Sequence, residues 1–322
     1  MSIRLLCVVA VSAAMVVSSS VRAQSTHFAD SLLDIGALAR AESEYYTAVR
    51  VRPRDPIARW ALGRFLVARG APRVGATLFE EALQFGGEPS IVIADLAPVY
   101  LALGMYHELA ALPSSSLPAG ERERARWLDT HPTRLVSPDS IVTVSYKAGR
   151  SGDIGRVTIQ LNGRPVEATI SPRVQGLIVS DTSAVARKLR RFDANGGQPA
   201  SRVSSAPAAA DSISIGGITY RNFPIAIRSL ENRGQAIVGF DVLGRFAPSF
   251  DPRAGRITLR VGGAVAAPPK NADTFATLLT PSDLRILQSS GWVSVGNAQM
   301  LRTLADHRWT FDTRRGQIVV DR

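Results

Sequence analysis

Residues 237–246 read Ile-Val-Gly-Phe-Asp-Val-Leu-Gly-Arg-Phe, and residues 249–259 read Ser-Phe-Asp-Pro-Arg-Ala-Gly-Arg-Ile-Thr-Leu. The first stretch opens with an apolar run typical of a buried strand, and the residues after it predict a short helix that ends at Phe246. The second stretch predicts a hairpin, because Asp251 and Gly255 are residue types that tight turns favour. A strand, a short helix and a hairpin in this order indicate a mainly β domain.

Apolar and polar residues alternate over most of residues 137–262, which predicts that this whole region is β. Asn162-Gly163 and Gly216-Gly217 are typical of hairpin turns. We expect a helix over Asp181 to Leu189 and a low-complexity loop over residues 193–211. The other predicted strands are Val142 to Tyr146, Val157 to Leu161, Val166 to Ile170, Leu177 to Val179, Ser212 to Ile215 and Ile218 to Ile227.

Three segments of this region resemble the bacterial retropepsin-like aspartyl protease family. Val157 to Val166 is similar to the family's opening hairpin, Ile237 to Phe246 to its "ILGxDxLxxF" segment, and Ser249 to Leu259 to its closing hairpin. The resemblance implies an all-β barrel with short helices. In active members of such families, two carboxylates share one proton and hold the attacking water between them.

The aspartate of that family has no counterpart at the expected position. Where the family has Asp-Thr-Gly-Ala after its second strand, this chain has Ser171-Pro172-Arg173-Val174. A serine hydroxyl is not a general base without a neighbouring activator, and we expect Arg173 to block the tight turn that glycine permits. The resemblance therefore implies no catalytic residue, with Ser171 in the degenerate aspartate slot.

Asp181 is the alternative candidate for a catalytic aspartate. Asp181-Thr182-Ser183-Ala184 is similar to the missing motif, although it lacks the glycine. A helix N-terminus also accounts for an aspartate at this position, because the helix dipole favours a negative charge there. An active retropepsin-like aspartic endopeptidase that uses Asp181 is thus the second hypothesis.

Residues 270–322 form a separate C-terminal segment after Pro268-Pro269. We expect a helix over Pro281 to Ser289, a strand over Trp292 to Val295 and a final hairpin. Phe311-Asp312-x-Arg314-x-Gly316 repeats the spacing of Phe250-Asp251-x-Arg253-x-Gly255. Two interpretations stay open: a truncated second lobe that packs where a dimer partner would lie, or two unrelated hairpins that share turn residues.

Residues 24–130 carry a repeat of a different kind. Gly36, Gly70 and Gly104 recur at a constant spacing, and the aromatic residues Tyr45 and Phe79 recur at the same spacing. This pattern resembles the tetratricopeptide repeat, which implies a helical-repeat solenoid. The glycines are expected at helix–helix turns in a left-handed conformation.

Residues 1–23 have the pattern of a secretory signal peptide. Arg4 precedes an apolar run from Leu5 to Val17, which is too short to span a bilayer comfortably, and Ala23 offers a small residue for cleavage. We therefore expect export to the periplasm or the medium and no integral membrane span in the mature chain.

Composition excludes several function classes. The single cysteine, Cys7, lies within the predicted signal peptide, and the four histidines are far apart, so we expect no metal site and no cofactor. The net charge of +11 comes from scattered basic residues without interleaved aromatic residues, which argues against nucleic-acid binding.

The sequence as a whole predicts an α + β multidomain protein that is exported and binds a protein or an extended peptide. It consists of a signal peptide (1–23), helical repeats (24–130), a degenerate retropepsin-like domain (137–262) and the C-terminal segment (270–322). On this interpretation the protein is a scaffold rather than an enzyme. Whether it forms a homodimer is left open.

Overall fold

A computed structural model describes residues 26–137, 140–149, 152–192, 205–230, 235–263 and 271–321. It has N-terminal helices and a C-terminal β barrel, as the sequence predicts. The predicted signal peptide lies outside the described residues. Among the helices of the described residues, none has both the length and the apolar character that a membrane crossing needs.

The described residues from 26 to 130 are mainly helical, and the predicted bounds of the repeat region stay a prediction. Gly36, Gly70 and Gly104 lie between helices with φ of 78°, 88° and 74°, as their spacing predicts. Their bounds are α1 (26–34), α2 (Leu38–Val51), α3 (Pro56–Ala68), α4 (Pro72–Gln84), α5 (Pro89–Leu103), α6 (Tyr106–Ala111) and α7 (Ala119–Thr130).

Small residues and aromatic rings form the core between the first helices. Ala48 and Ala82 are buried, and the Tyr45 and Phe65 rings lie 5.1 Å apart. A Cβ at Gly63 would come within 2.8 Å of the Phe79 ring, so the absence of a side chain there allows α3 and α4 to approach closely. The assignment of these helices to the tetratricopeptide family stays a prediction.

The described residues after α7 are mostly strand, interrupted by two α-helices, α8 (Phe240–Leu243) and α9 (Ala298–Ala305). The strands are β1 (Arg134–Leu135), β2 (Ile141–Ala148), β3 (Gly155–Leu161), β4 (Arg164–Ser171), β5 (Leu177–Ser180), β6 (Arg190–Arg191), β7 (Ala206–Ile215), β8 (Ile218–Arg228), β9 (Ala236–Gly239), β10 (Ser249–Asp251), β11 (Arg256–Arg260), β12 (Asp273–Thr280), β13 (Asp283–Gln288), β14 (Gly291–Ser294), β15 (Trp309–Asp312) and β16 (Gln317–Val320).

The strands pair in the order β14-β13-β12-β16-β15-β10-β11-β2-β3-β4-β9-β5-β8-β7-β6. Because β7 pairs with β3 as well as with β8, the strands β3-β4-β9-β5-β8-β7 close into a barrel. Inward-facing aliphatic residues such as Ile159, Ile170 and Val238 fill its core. Barrel closure leaves these strands without free edges.

Three predictions about local structure are wrong. The segment Asp181 to Leu189 contains only a 3₁₀ turn at Ala186–Lys188, and the Ser180 hydroxyl is hydrogen-bonded to Thr182 Oγ1. Pro281 to Ser289 holds strand β13, because Leu284 and Ile286 alternate with exposed Arg285 and so have the period of a strand. Residues 206–211, predicted as loop, belong to β7; residues 193–204 lie outside the described residues.

The chain divides into two compact units. The helical unit comprises residues 26–67 and 72–96 of the described chain, and the β unit comprises residues 68–71 and 97–321. Within the β unit, α7 packs on β8, because the buried Arg124 side chain donates a hydrogen bond to the Ile225 carbonyl at 2.8 Å. Helix α7 therefore packs against the outside of the barrel within the β unit.

Candidate functional site

The loop after β4 is where the sequence predicts the aspartate slot. It connects β4 to β5 through residues 172–176, and β9 lies between these two strands, parallel to β4 and antiparallel to β5. Ser171 is the last residue of β4 and pairs with Gly239 at the end of β9. We call residues 171–176 the β4–β5 loop.

Asp241 holds this loop in place from the first turn of α8. The Gly176 N–H donates to both carboxylate oxygens of Asp241, at 2.8 and 3.0 Å, and the Gly239 N–H donates to the Gly176 carbonyl at 2.8 Å. Burial raises the pKa of Asp241, while the Gly176 hydrogen bond and the charge of Arg245 lower it. Asp241 is therefore a positioning group for the loop.

Ser171 is buried, with 2% of its surface exposed, and its hydroxyl accepts a hydrogen bond from the Arg173 N–H at 3.3 Å. Over the part of the chain that the structure describes, neither a histidine nor a carboxylate is hydrogen-bonded to this hydroxyl. A serine without a base in contact has no activated oxygen for nucleophilic attack. The geometry gives Ser171 a role in shaping the loop.

Arg173 does not block the turn, contrary to the prediction. The residue of this loop with a left-handed backbone is Gly176, at φ 74°, and Arg173 is absent from the residues with positive φ. The glycine that this turn requires is Gly176, three positions after Arg173, where the resemblance places it. The Arg173 side chain lies exposed at the surface.

Asp181 lies at the opposite end of β9 from Ser171. The Ser180 N–H donates to the Gln235 carbonyl at 2.9 Å, and the Asp181 N–H donates to the Arg228 carbonyl at 3.1 Å. Gln235 and Gly239 are four residues apart along the strand, which corresponds to about 13 Å. Asp181 and Ser171 are therefore too far apart to belong to the same catalytic site. Asp181 Oδ1 is buried and has no hydrogen-bond partner among the described residues.

Asp312, the aspartate of the repeated hairpin, has a structural role. It is 2% exposed, and its Oδ1 accepts the N–H groups of Arg314 and Arg315, both at 3.1 Å. These contacts fix the turn between β15 and β16. In the described ranges, no three histidine, cysteine, aspartate or glutamate side chains are grouped as a metal site would need.

A second candidate surface lies on the helical unit. Ile57, Trp60 and Arg64 are spaced so that they share one face of α3. The Trp60 indole N–H donates to Asp95 Oδ2 of α5 at 2.8 Å, and Ile91 lies one turn before Asp95. Ile57 and Ile91 are 47% and 51% exposed. We call these five residues the α3–α5 face.

No protein-family model matches the chain, and no curated protein matches it. Among solved structures, it is similar to a retropepsin-like aspartic protease from Rickettsia conorii, with 16% identity and a TM-score of 0.29, over 40% of this chain and 93% of that one. It is also similar to the retroviral protease-like domain of Ddi1 from Leishmania major, with 18% identity and a TM-score of 0.23, over 37% of this chain and 89% of that one. By its own fold, this chain is an α + β protein with N-terminal helices and a C-terminal β barrel.

Proposed function

We propose that the protein is exported and binds unfolded or extended polypeptide without hydrolysing it. The observation that carries this proposal is the α3–α5 face, where apolar side chains are exposed next to an aromatic ring and a guanidinium group. Export is inferred from the pattern of residues 1–23.

Exposed apolar side chains are concentrated in the helical unit. In the described part of the β unit, the exposed large apolar side chains are Leu135, Val136 and Ile141, all near its first strands. The helical unit exposes Phe28, Ile35, Tyr46, Val51, Ile57, Val74 and Ile91. Apolar groups that stay in contact with water favour association with a partner, since contact removes that area from water.

Polar groups at the α3–α5 face can orient a bound ligand through hydrogen bonds. The Arg64 guanidinium stacks over the Trp60 ring at 4.8 Å, and its Nε lies 3.7 Å from Asp95 Oδ2. The Arg64 side chain is still 57% exposed, so it can donate hydrogen bonds to a ligand carboxylate or carbonyl. This chemistry suits a polypeptide segment that combines apolar side chains with an acidic group.

The site after β4 supports binding without hydrolysis. Peptide hydrolysis by an aspartic dyad needs one carboxylate that activates water and a protonated one that polarises the carbonyl. Ser171 carries neither function, and Asp181 lies at the other end of β9. The second candidate, an endopeptidase that uses Asp181, rests on the unpartnered Oδ1 of that residue.

Fluorescence anisotropy with labelled, unfolded casein tests the proposed binding. We expect saturable binding by the wild-type protein and a Kd at least about tenfold weaker for the double variant Ile57→Asp, Ile91→Asp, because each change removes apolar contact area and adds a charge. Val74→Asp is the matched control, since Val74 is equally exposed, at 53%, but lies on α4. Equal weakening by Val74→Asp, or an unchanged Kd in the double variant, would contradict the proposal.

A further inference from the structure

Ten neighbouring strands of the β unit are arranged in the same way on both sides of the β15–β10 pair. On one side of the β15–β10 pair lie β16, β12, β13 and β14, and on the other side lie β11, β2, β3 and β4. On each side the three outer strands follow one another along the chain as an antiparallel meander, β12–β13–β14 on one side and β2–β3–β4 on the other. The inner strand on each side, β16 or β11, forms a hairpin with β15 or β10. An approximate two-fold axis through the middle of a sheet produces such an order.

The two hairpins beside this axis have the same internal structure. Both turns begin with an aspartate, Asp251 or Asp312, whose Oδ1 accepts backbone N–H groups of the turn. Both turns end with a left-handed glycine, Gly255 at φ 62° or Gly316 at φ 59°. The register partners next to the turns are Phe250 with Ile257 and Phe311 with Ile318. The sequence repeat is therefore a structural repeat.

The axis passes between Ser249 and Thr310. Each is the residue before the phenylalanine of its hairpin, so the two positions correspond to each other. They are also register partners, and their hydroxyl oxygens lie 2.8 Å apart. When a residue pairs with its own counterpart, the contact is of the isologous type that relates two copies in a symmetric dimer.

The correspondence extends to the next strand on each side. The Tyr146 N–H of β2 donates to the Gly255 carbonyl at 2.8 Å, and the Thr277 N–H of β12 donates to the Gly316 carbonyl at 2.8 Å. Gly255 and Gly316 occupy the same place in their hairpins, so Tyr146 and Thr277 correspond to each other. β12 therefore takes the position of β2.

Following the registers outward brings the correspondence to the β4–β5 loop. The successive partners are Tyr146 with Val157 and Val157 with Ala168 on one side, and Thr277 with Ile286 and Ile286 with Val293 on the other. Val293 of β14 therefore corresponds to Ala168 of β4. Three residues further along each chain segment, Gly296 corresponds to Ser171.

The corresponding loops meet. A Cβ placed on Gly296 would lie 3.1 Å from Pro172 Cγ and 3.4 Å from Arg173 Nε. The backbone after β14 therefore passes directly against the loop after β4, as two copies of one loop do at a two-fold axis. Neither of the two corresponding positions, Ser171 and Gly296, carries a carboxylate.

The contact between the two halves is aromatic and buried. The Phe250 and Trp309 rings stack with centroids 4.0 Å apart, and the Phe240 and Phe311 rings are 5.3 Å apart at an angle of 66°. All four side chains are at most 1% exposed. Losing this contact would leave an apolar surface and a free edge of β10.

We propose that residues 273–320 are a shortened second copy of the β2–β4 strands and the β10–β11 hairpin, and that this copy replaces, within one chain, a second molecule at the β10 edge. The intact protein is then a monomer. Without the C-terminal copy, the exposed β10 edge of one molecule would pair with the β10 edge of a second molecule of this chain. This proposal is independent of the proposed polypeptide binding.

Cysteine cross-linking of the full chain tests this proposal. In the Cys7→Ser background, Ser249→Cys with Thr310→Cys should form a disulfide within one chain under oxidised glutathione, and the product should run as a monomer on a non-reducing gel. Ser249→Cys alone should stay monomeric, because the C-terminal copy covers it. Disulfide-linked dimers of Ser249→Cys in the otherwise intact protein would overturn the proposal.

Weakening the C-terminal copy should open the β10 edge to a second molecule. With Trp309→Ala and Phe311→Ala added, Ser249→Cys should form disulfide-linked dimers several-fold faster than Ser282→Cys, an exposed control serine in the β12–β13 turn. If circular dichroism shows that the double alanine variant has unfolded, Trp309→Ala alone is compared in the same way. Equal rates for Ser249→Cys and Ser282→Cys in a folded background would overturn the proposal.

Discussion

Removal of the Asp241 carboxylate should loosen the β4–β5 loop and reveal how this partly buried charge affects stability. In Asp241→Ala the Gly176 N–H loses its acceptor, which lies at 2.8 Å in the wild-type protein. A buried donor left without a partner costs about 1–3 kcal/mol of unfolding free energy, and because the Gly176 N–H is only partly buried we expect a loss near the lower end of that range. Asp241→Asn keeps an acceptor oxygen of the same shape, so its free energy of unfolding at neutral pH should stay within about 1 kcal/mol of wild type.

The difference in unfolding free energy between wild type and Asp241→Asn should change with pH in one direction. Because burial raises the pKa of Asp241 in the folded protein, the folded state holds this proton more tightly than the unfolded state does. The carboxyl therefore contributes most to stability below its ordinary pKa, and this contribution is lost as pH rises through the raised folded value. The amide of Asp241→Asn does not titrate, so wild type should lose stability relative to this variant over that interval.

Urea unfolding followed by circular dichroism at several pH values between about 4 and 7 measures these differences. Hydrogen exchange of residues 172–176 reports the loop directly, and Asp241→Ala should exchange faster there than Asp241→Asn. Parallel pH curves for wild type and Asp241→Asn, or equal loop exchange in the two variants, would refute this reasoning.

Three further predictions follow from other parts of the molecule. Arg124→Ala should cost about 1–3 kcal/mol in urea unfolding because it leaves the buried Ile225 carbonyl without its donor, and full stability would contradict this. Ala82→Glu should cost several kcal/mol because Ala82 is fully buried, whereas Thr77→Glu on the exposed side of α4 should change the melting temperature little. N-terminal sequencing of exported protein should find a start at or near Gln24, and recovery of Met1 would contradict the predicted signal peptide.

The turns could be predicted from the sequence because their signals are local. Gly36, Gly70 and Gly104 marked the helix–helix turns, and Asn162-Gly163 marked a hairpin, since only certain residues adopt a left-handed backbone readily. The position of Ser171 at the end of its strand was also predictable from spacing.

Features that depend on contacts between residues remote in sequence could not be predicted. Leu284, Ile286 and Leu287 are spaced so that they fit either a helix or a strand, and pairing of β13 with β12 and β14 decides between the two. Asp241 was not singled out as a site residue, because its partner Gly176 is remote in sequence. An acidic residue inside an apolar buried segment was the only local sign of its role.

The sequence showed the repeated hairpin but not the rest of the C-terminal copy. Hairpin turns restrict residue identity, so Asp312 and Gly316 still match Asp251 and Gly255. Strands require only alternation of apolar and polar residues, and β12 to β14 keep the pairing of β2 to β4 without keeping the residues.

Incubation of the purified protein with unfolded casein and a peptide library between about pH 3 and pH 7, with and without pepstatin, tests most directly whether the bound polypeptide is hydrolysed. The Asp181→Asn variant is assayed in parallel. We expect no cleavage that depends on the inhibitor or on Asp181, because Ser171 supplies no carboxylate and Asp181 lies at the far end of β9. Cleavage that pepstatin or Asp181→Asn abolishes would contradict a purely binding role and establish the endopeptidase instead.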